Sequence, residues 1–224
     1  MSDLLLATAN PGKQREFSRL LRDLPGRVLM PQEIGLDLDV PEPHHTYAEN
    51  AAAKATAYCT ASGLPALADD SGIEVAALDW GPGARSARHG GSDVADRASL
   101  ILERLGASHD RRARMVCWLA LAIPGTAPDG TPRSPRIELF SGVMDGVIAQ
   151  ARRGSGGFGY DPIFELPSGL TTAELPEGEK DAISHRGRAV AAALPRLRQL
   201  LRDDAPAREI GRSPDTMGSP EEPS

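Results

Sequence analysis

Lysine is the residue type that this sequence most clearly lacks, because only Lys13, Lys54 and Lys180 stand among its 25 basic side chains. Arginine supplies the rest, so a generic positive charge in this chain is almost always a guanidinium. A compact ammonium and a planar guanidinium suit different partners. The three lysines are therefore candidates for sites that need an ammonium, although three lysines could also persist by chance.

Cysteine and long apolar runs are scarce as well, and the net charge of the chain is negative. Cys59 and Cys117 are too few and too far apart for a zinc site or a disulfide framework. No apolar run has the length of a membrane span, and the N-terminus lacks the basic and hydrophobic segments of a secretion signal. A net charge of −6 disfavours general nucleic-acid binding. The sequence therefore predicts a cytoplasmic protein with neither a membrane nor a nucleic-acid partner.

Apolar runs and turn residues predict an α/β fold. Leu4 to Ala7 and Leu64 to Ala68 are typical of buried strands. Met115 to Ile123 and Arg136 to Ile148 predict two antiparallel strands joined by a long loop. The chain is long enough for one sizeable core.

Capping residues mark several helices, and composition marks one domain boundary. Asn10 is a natural N-cap, and the capping box that begins at Thr46 starts an alanine-rich helix. Pro195 should kink or split the last helix. Residues 1–202 are expected to form the domain, and residues 203–224, rich in proline, serine and glutamate, a disordered acidic tail.

Two adjacent carboxylates, Asp69 and Asp70, follow a predicted strand and precede Ser71 and Gly72. Close like charges at the end of a buried strand repel and lose hydration, so such a pair usually has a counter-cation, of which a metal ion is the simplest. A polar turn, in which Asp and Ser bond their own backbone, explains this stretch equally well.

The segment from Thr8 to Lys13 connects the first strand to a helix. Backbone N–H groups at the helix N-terminus, together with Lys13, make an anion-binding geometry. The glycine spacings of the Walker loop and of dinucleotide folds are absent. An ordinary capped helix with Lys13 in solvent is the alternative, and this segment alone favours it. Lys54 lies inside the alanine-rich helix, and its local sequence alone predicts that it faces solvent.

The segment from Gly154 to Pro162 is the most unusual in the chain, with four glycines in its first six residues. Phe158 and Tyr160 on this frame, with Asp161 nearby, can stack a nucleobase and fix it through backbone hydrogen bonds. A linker whose rings fill the core is the alternative. Aromatic residues make up only 4% of the chain, and this scarcity favours base binding.

Together these segments hold the groups that a nucleoside triphosphate requires. Acids are available for a magnesium ion, and lysines and a helix N-terminus for phosphates. His185 and Arg186 can donate to base-edge oxygens. Hydrolysis would need a water in line with a phosphorus atom, oriented by a carboxylate and a metal.

Four segments, in order, are similar to the signatures of the non-canonical purine NTP pyrophosphatases, the inosine/xanthosine triphosphate pyrophosphatase family. They are Thr8-Ala9-Asn10-x-x-Lys13, Ala68-Asp69-Asp70-Ser71-Gly72, Gly156-Gly157-Phe158-Gly159-Tyr160-Asp161-Pro162 and Lys180-x4-His185-Arg186. Thr46 to Lys54 matches too, and the resemblance runs from Leu4 to about Leu201.

The resemblance implies a reaction, a cofactor and a fold. An NTP and water would give the NMP and pyrophosphate with Mg²⁺, on ITP, dITP and XTP, which removes deaminated purines from the nucleotide pool. It also implies an elongated two-lobed α/β domain around a central mixed β-sheet, an active site in the cleft between the lobes, and a homodimer.

The resemblance further implies a role for each matching position. Asp70 would be the general base and, with Glu42, a metal ligand, while Asp69 would support Asp70. His185 and Arg186 would read the purine O6 edge, since donors there leave adenine's amino group without a partner. The other substrate-binding residues would be Thr8, Ala9, Asn10, Pro11, Gly12, Lys13, Lys54, Ser71, Phe158, Gly159, Tyr160, Asp161 and Lys180.

Two other functions use the same residues. A nucleotide sensor would bind ITP without turnover, and a related pyrophosphatase would act on pyrimidine or modified nucleotides. Asp70, Lys13 and the His185-Arg186 pair argue against the sensor. The His185-Arg186 pair argues only weakly against a pyrimidine substrate.

Overall fold

The computed structural model describes residues 3–88, 94–127 and 129–203. The strands are β1 (Asp3–Leu6), β2 (Arg27–Leu29), β3 (Ala66–Val75), β4 (Gly81–Pro82), β5 (Arg112–Thr126), β6 (Pro132–Ile148) and β7 (Phe164–Glu165). The helices are α1 (Pro11–Leu20), α2 (Tyr47–Ser62), α3 (Val94–Leu105), α4 (Glu177–Ile183) and α5 (His185–Asp203). Except for Asp203, the predicted tail lies outside the described residues.

The strands form one mixed sheet in the order β2-β1-β3-β5-β6-β7, with β4 also paired to β3. β1 runs parallel to β2 and β3, whereas β3, β5, β6 and β7 pair antiparallel. The predicted α/β class with a central mixed sheet is therefore confirmed.

The prediction of a long loop between β5 and β6 is wrong. Pairing of the two strands continues past a bulge between Ile123 and Gly125 as far as Thr126 and Pro132. The pairing uses backbone groups, so glycine can take part in it, and the bulge lies at Pro124, which has no N–H to donate. Only residues 127–131 connect the strands.

Helices cover both faces of the sheet. Leu67, Cys117 and Leu119 lie in one hydrophobic cluster with residues of α1 and α5. Ala68 and Ala120 pack on the opposite face against α2, whose small side chains permit close approach. A third cluster lies farther along the α1–α5 face and joins the ends of β3, β5 and β6 to α3 and β7.

The helix ends follow local chemistry. Asn10 Oδ1 accepts hydrogen bonds from Gly12 N at 2.9 Å and Lys13 N at 3.1 Å, and the Thr46–Glu49 capping box forms as predicted. None of the described helices combines the length and apolar character that a membrane crossing requires.

The last helix is not split at Pro195, so that part of the prediction is wrong. α5 continues from His185 to Asp203 with Pro195 inside it. Ala193 and Leu197 flank the proline and are fully buried against the sheet. This packing offsets the backbone hydrogen bond that proline cannot make.

The strand that carries the paired carboxylates extends beyond Ala68, where the apolar run of the sequence ends. β3 is continuous and pairs with β5 from Ala66 to Val75. On its other edge, β3 pairs with β1 as far as Leu67 and with β4 from Glu74 onwards. No described strand pairs with residues 68–73 on that edge, so the carboxylates lie at an open edge of the sheet.

Candidate functional site

The paired carboxylates point to opposite faces of the sheet, because successive side chains of a strand alternate. Asp69 and Ser71 share the α1–α5 face with Leu67, whereas Asp70 shares the α2 face with Ala68. The edge of β3 is open here, so a ligand lying across it can reach both faces. The polar turn is therefore excluded, and the pair belongs to a continuous strand.

Asp69 is a fully buried, ionised counter-ion. Its Oδ2 lies 2.9 Å from Lys13 Nζ, accepts a hydrogen bond from Ser71 Oγ at 2.9 Å, and is 3.7 Å from Arg186 Nε. Burial opposes ionisation, but the positive charges of Lys13, Arg186 and Lys54 outweigh it and hold the pKa of Asp69 well below its ordinary value. Lys13 is thus not in solvent.

Asp70 has the opposite electrostatic character. Its carboxylate accepts hydrogen bonds from Asn50 Nδ2 at 3.0 Å and Ser71 N at 2.9 Å, both neutral donors. Burial raises the pKa of Asp70 to about 6, against the hydrogen bond from Asn50, and the negative charge of Glu42 raises it further. A carboxylate with a pKa near neutrality is suited to general-base chemistry.

Lys54 does not lie on a solvated face, so that local prediction is wrong. Its side chain is 13% exposed, forms an ion pair with Glu42 and donates to the backbone oxygen of Asp69 at 2.9 Å. Burial lowers the pKa of Lys54, but the charges of Asp69 and Glu42 outweigh that effect and raise it. Lys13 and Lys54 therefore both contact Asp69, Lys13 at its carboxylate and Lys54 at its backbone oxygen.

A buried network of charges connects α1, α4 and α5. Lys180 Nζ donates to Glu16 Oε1 and Asp161 Oδ2, both at 2.6 Å. Arg186 forms an ion pair with Glu16 and donates to Ser71 Oγ at 3.0 Å. Burial opposes ionisation of Glu16, but Arg186 and Lys180 lower its pKa. Charges of opposite sign alternate through this network, so each buried cation has an acid beside it.

The glycine-rich segment closes on that network. Asp161 Oδ2 accepts a hydrogen bond from Phe158 N at 2.7 Å, and Oδ1 accepts one from Thr172 Oγ1 at 2.8 Å. Gly157 has φ +67°, and a Cβ there would collide with the Asp161 carboxylate. A Cβ on Gly12 would lie 2.7 Å from the Phe158 ring. Glycine at both positions lets the loop and the start of α1 meet.

A cavity lies between the α1–α5 cluster and the third cluster. Asn10, Lys13, Ser71 and residues 158–161 line it, with His185 and Arg186. Ser86, Arg97 and Met115 line it as well, and none of these three was predicted.

His185 is neutral in this cavity. Burial and the nearby charges of Arg186 and Lys180 lower its pKa well below the ordinary value. Its Nδ1 has no hydrogen-bond partner among the described residues. A neutral imidazole offers one donor and one acceptor, so His185 can complete its bonding with a ligand.

The backbone N–H groups at the N-terminus of α1 are already hydrogen-bonded to side chains. The N–H groups of Gly12 and Lys13 are bonded to Asn10, and the N–H of Asn10 points to Thr8 Oγ1 at 3.3 Å. The Lys13 ammonium is thus the principal cation at this end of the cavity. Ala9, Asn10 and Pro11 are exposed, and of these three Asn10 lines the cavity.

Asp70 and Glu42 fit a magnesium ion better than a metal with an all-protein shell. Within the described residues, no group of three or more His, Cys, Asp or Glu side chains converges on a point. Magnesium commonly binds one or two carboxylates and completes its shell with water and substrate phosphates. The negative charge of Glu42 raises the pKa of Asp70, and the Lys54 ammonium is the cation that pairs with Glu42 in this structure.

Glu16 and Asn50 contribute to the site and were not predicted from the sequence. Glu16 follows Lys13 by three residues, and Asn50 precedes Lys54 by four, so each shares a helix face with a predicted site residue. This spacing is the signal that could have found them.

Comparison with known proteins identifies close relatives over almost the whole chain. The Ham1 family matches residues 4–196. A dITP/XTP pyrophosphatase of Symbiobacterium thermophilum is 44% identical over 89% of this chain and 97% of the relative. One from Synechococcus sp. is 43% identical over 94% and 97%.

Solved structures give the same result. A HAM1 protein from Coxiella burnetii is 40% identical, with a TM-score of 0.72 over 91% of this chain and 100% of that one. A nucleoside-triphosphatase, dITP/XTP pyrophosphatase, from Mycobacterium abscessus is 38% identical, with a TM-score of 0.62 over 86% and 99%.

Proposed function

This chain belongs to the Ham1 family, and from that premise and the geometry of the cavity we propose that it hydrolyses deaminated purine nucleoside triphosphates. The substrates would be ITP, dITP and XTP, and the products the nucleoside monophosphate and pyrophosphate. The observation that carries the proposal is the pair of adjacent carboxylates on opposite faces of β3, of which Asp69 is paired with Lys13 and Asp70 accepts hydrogen bonds from the neutral donors Asn50 and Ser71. Asp69 stays charged and anchors cations, whereas Asp70 is poised to take a proton.

The protein's own groups would divide the work between the cavity, which Lys13 lines, and the α2 side of β3, where Asp70 and Lys54 lie outside that lining. Lys13, which is paired with Asp69, and Lys54, which is paired with Glu42, would bind the phosphates as ammonium groups. Asp70 would remove a proton from water as the water attacks phosphorus, and the broken P–O bond would release pyrophosphate. Magnesium, held by Asp70 and Glu42, would neutralise charge on the triphosphate.

The base would bind at the glycine-rich segment. Phe158 supplies a ring, and its backbone is fixed by Asp161. His185 and Arg186 would donate to the C6 carbonyl of hypoxanthine or xanthine. Adenine carries an amino group at C6, so it would leave buried donors without partners and be rejected. Lys180 would position Asp161 and therefore the loop.

We also propose a homodimer in the cytoplasm. β6 presents Leu139, Val143 and Val147 on its face opposite α5, where each is more than a third exposed. Exposed apolar side chains of this kind suit an interface between two copies.

The products of dITP and XTP test the proposed reaction. We expect one pyrophosphate for each monophosphate in the presence of magnesium, and loss of turnover when a chelator removes the metal. Enzymatic coupling that distinguishes pyrophosphate from orthophosphate makes the measurement. Orthophosphate as the first product would contradict the proposal, and tight binding without turnover would favour the nucleotide sensor instead.

A further inference from the structure

Arg97, which lies on α3, lines the cavity together with His185 and Arg186 of α5. Ala98, Ile101 and Leu105 of α3 are buried in the third hydrophobic cluster. Arg97 is one turn before Ile101, so the two share a helix face, and the apolar stem of an arginine can pack beside the core while its head reaches a polar space. His185 and Arg186, by contrast, begin α5 and approach from the other cluster.

Arg97 lines the same cavity as Ser86 and Tyr160, whose hydroxyl groups are already hydrogen-bonded. Tyr160 OH donates to the Ser86 backbone oxygen at 3.0 Å, and Ser86 Oγ donates to the Gly83 oxygen at 2.6 Å. Burial raises the pKa of Tyr160 to about 12, and the positive charge of Arg97 works against that rise. Of these three residues, Arg97 alone brings a charge to the cavity wall.

A cation at this wall favours a particular purine. Hypoxanthine has one carbonyl, at C6, whereas xanthine has a second, at C2. The ring of a xanthine nucleotide also loses a proton below neutral pH and then carries negative charge. A guanidinium has five donors in a planar fork, so it can bind a carbonyl or an anionic ring edge and still keep a protein partner.

We propose that Arg97 is a specificity residue that recognises the C2 side of xanthine and raises the affinity of the cavity for XTP relative to ITP. The inference rests on the proposed function, because it takes the cavity to be the purine site. His185 and Arg186 read the carbonyl that both bases share. Arg97 contacts the group that only xanthine has.

The test compares Arg97→Gln with a control on the same helix, Arg104→Gln. Arg104 is exposed and lies outside the cavity lining. Calorimetric titration with XMP and IMP measures base recognition without turnover, and kcat/KM for XTP and ITP measures it during turnover. Arg97→Lys keeps the charge and should retain part of the xanthine preference, which separates recognition from folding.

We expect Arg97→Gln to weaken XMP binding about tenfold and to lower kcat/KM for XTP by a similar factor, as for a hydrogen bond to a charged group. IMP and ITP should change less than about twofold, and Arg104→Gln should change neither ligand. An equal loss for both bases, or a wild-type protein without preference for XMP, would overturn the inference. An Arg97-dependent XMP preference in a protein that releases no pyrophosphate would support the inference and refute the proposed function.

Discussion

Replacing Asp70 with Asn is expected to abolish turnover and, at the same time, to make the folded protein more stable. Loss of a general base lowers kcat by about 10³-fold. The same carboxylate is buried beside neutral donors and has its pKa raised from 3.8 to about 6, so its charge opposes folding. Removing that charge should raise the free energy of unfolding by about 2 kcal/mol, or roughly 5 °C in Tm.

The increase in the free energy of unfolding that Asp70→Asn causes should be larger at high pH than at low pH. The pKa of Asp70 is higher in the folded than in the unfolded chain, so the folded state binds the extra proton between about pH 4 and pH 6. In the wild type, the ionised Asp70 carboxylate therefore lowers the free energy of unfolding by its full amount above about pH 6, and this effect disappears as the pH falls towards 4. Thermal unfolding at about pH 8 and about pH 4.5, without metal, measures this difference.

Asp69→Asn is the matched control for this experiment, since it is the same change one residue away. Asp69 has its pKa lowered by Lys13, Arg186 and Lys54, so its charge favours folding and its loss should lower Tm. Magnesium should raise the Tm of the wild type more than that of Asp70→Asn. Retained turnover in Asp70→Asn would exclude Asp70 as the base, and a lower Tm at about pH 8 would exclude the electrostatic penalty.

Glu16→Gln is expected to lower both stability and activity. Glu16 is buried between Lys180 and Arg186, and the amide would leave two buried cations without their shared acid. Breaking a buried pair in this way costs about 3–5 kcal/mol. Arg186 would also lose the contact that positions it beside Ser71, and a shift of about 1 Å in such a group can lower kcat/KM about a hundredfold.

Glu177→Gln provides the control for Glu16→Gln. Glu177 pairs with Arg19 at 3.1 Å, but its side chain is 69% exposed. Such a surface pair contributes at most about 1 kcal/mol, so this variant should unfold and turn over almost as the wild type does. Chemical denaturation and steady-state kinetics on both variants make the comparison. Wild-type stability in Glu16→Gln would show that the buried network does not hold the fold together.

Elements fixed by local chemistry could be predicted from the sequence. Asn10 and Thr46 bond backbone groups within their own helix, and Gly63 ends α2 in the left-handed conformation at φ 71°. Each depends only on neighbours in the chain. The signatures of the resembling family also lie within short segments, so the sequence led to the family that the comparisons confirm.

Features that depend on distant partners could not be predicted in the same way. Lys54 looks like a solvated helix residue until β3 supplies the backbone oxygen of Asp69 and Glu42 folds over it. Glu16 is 164 residues from Lys180, its ion-pair partner. The continuation of β3 through two carboxylates depends on pairing with β5, which compensates for poor local propensity.

Discrimination between deaminated and ordinary purines is the central claim, and competition between dITP and dATP tests it most directly. The two nucleotides are mixed at equal concentration with magnesium, and the consumption of each is followed to give the ratio of kcat/KM. Donors from His185 and Arg186 at the C6 edge predict a preference for dITP of at least about a hundredfold. Equal consumption of the two nucleotides would contradict this account of the cavity.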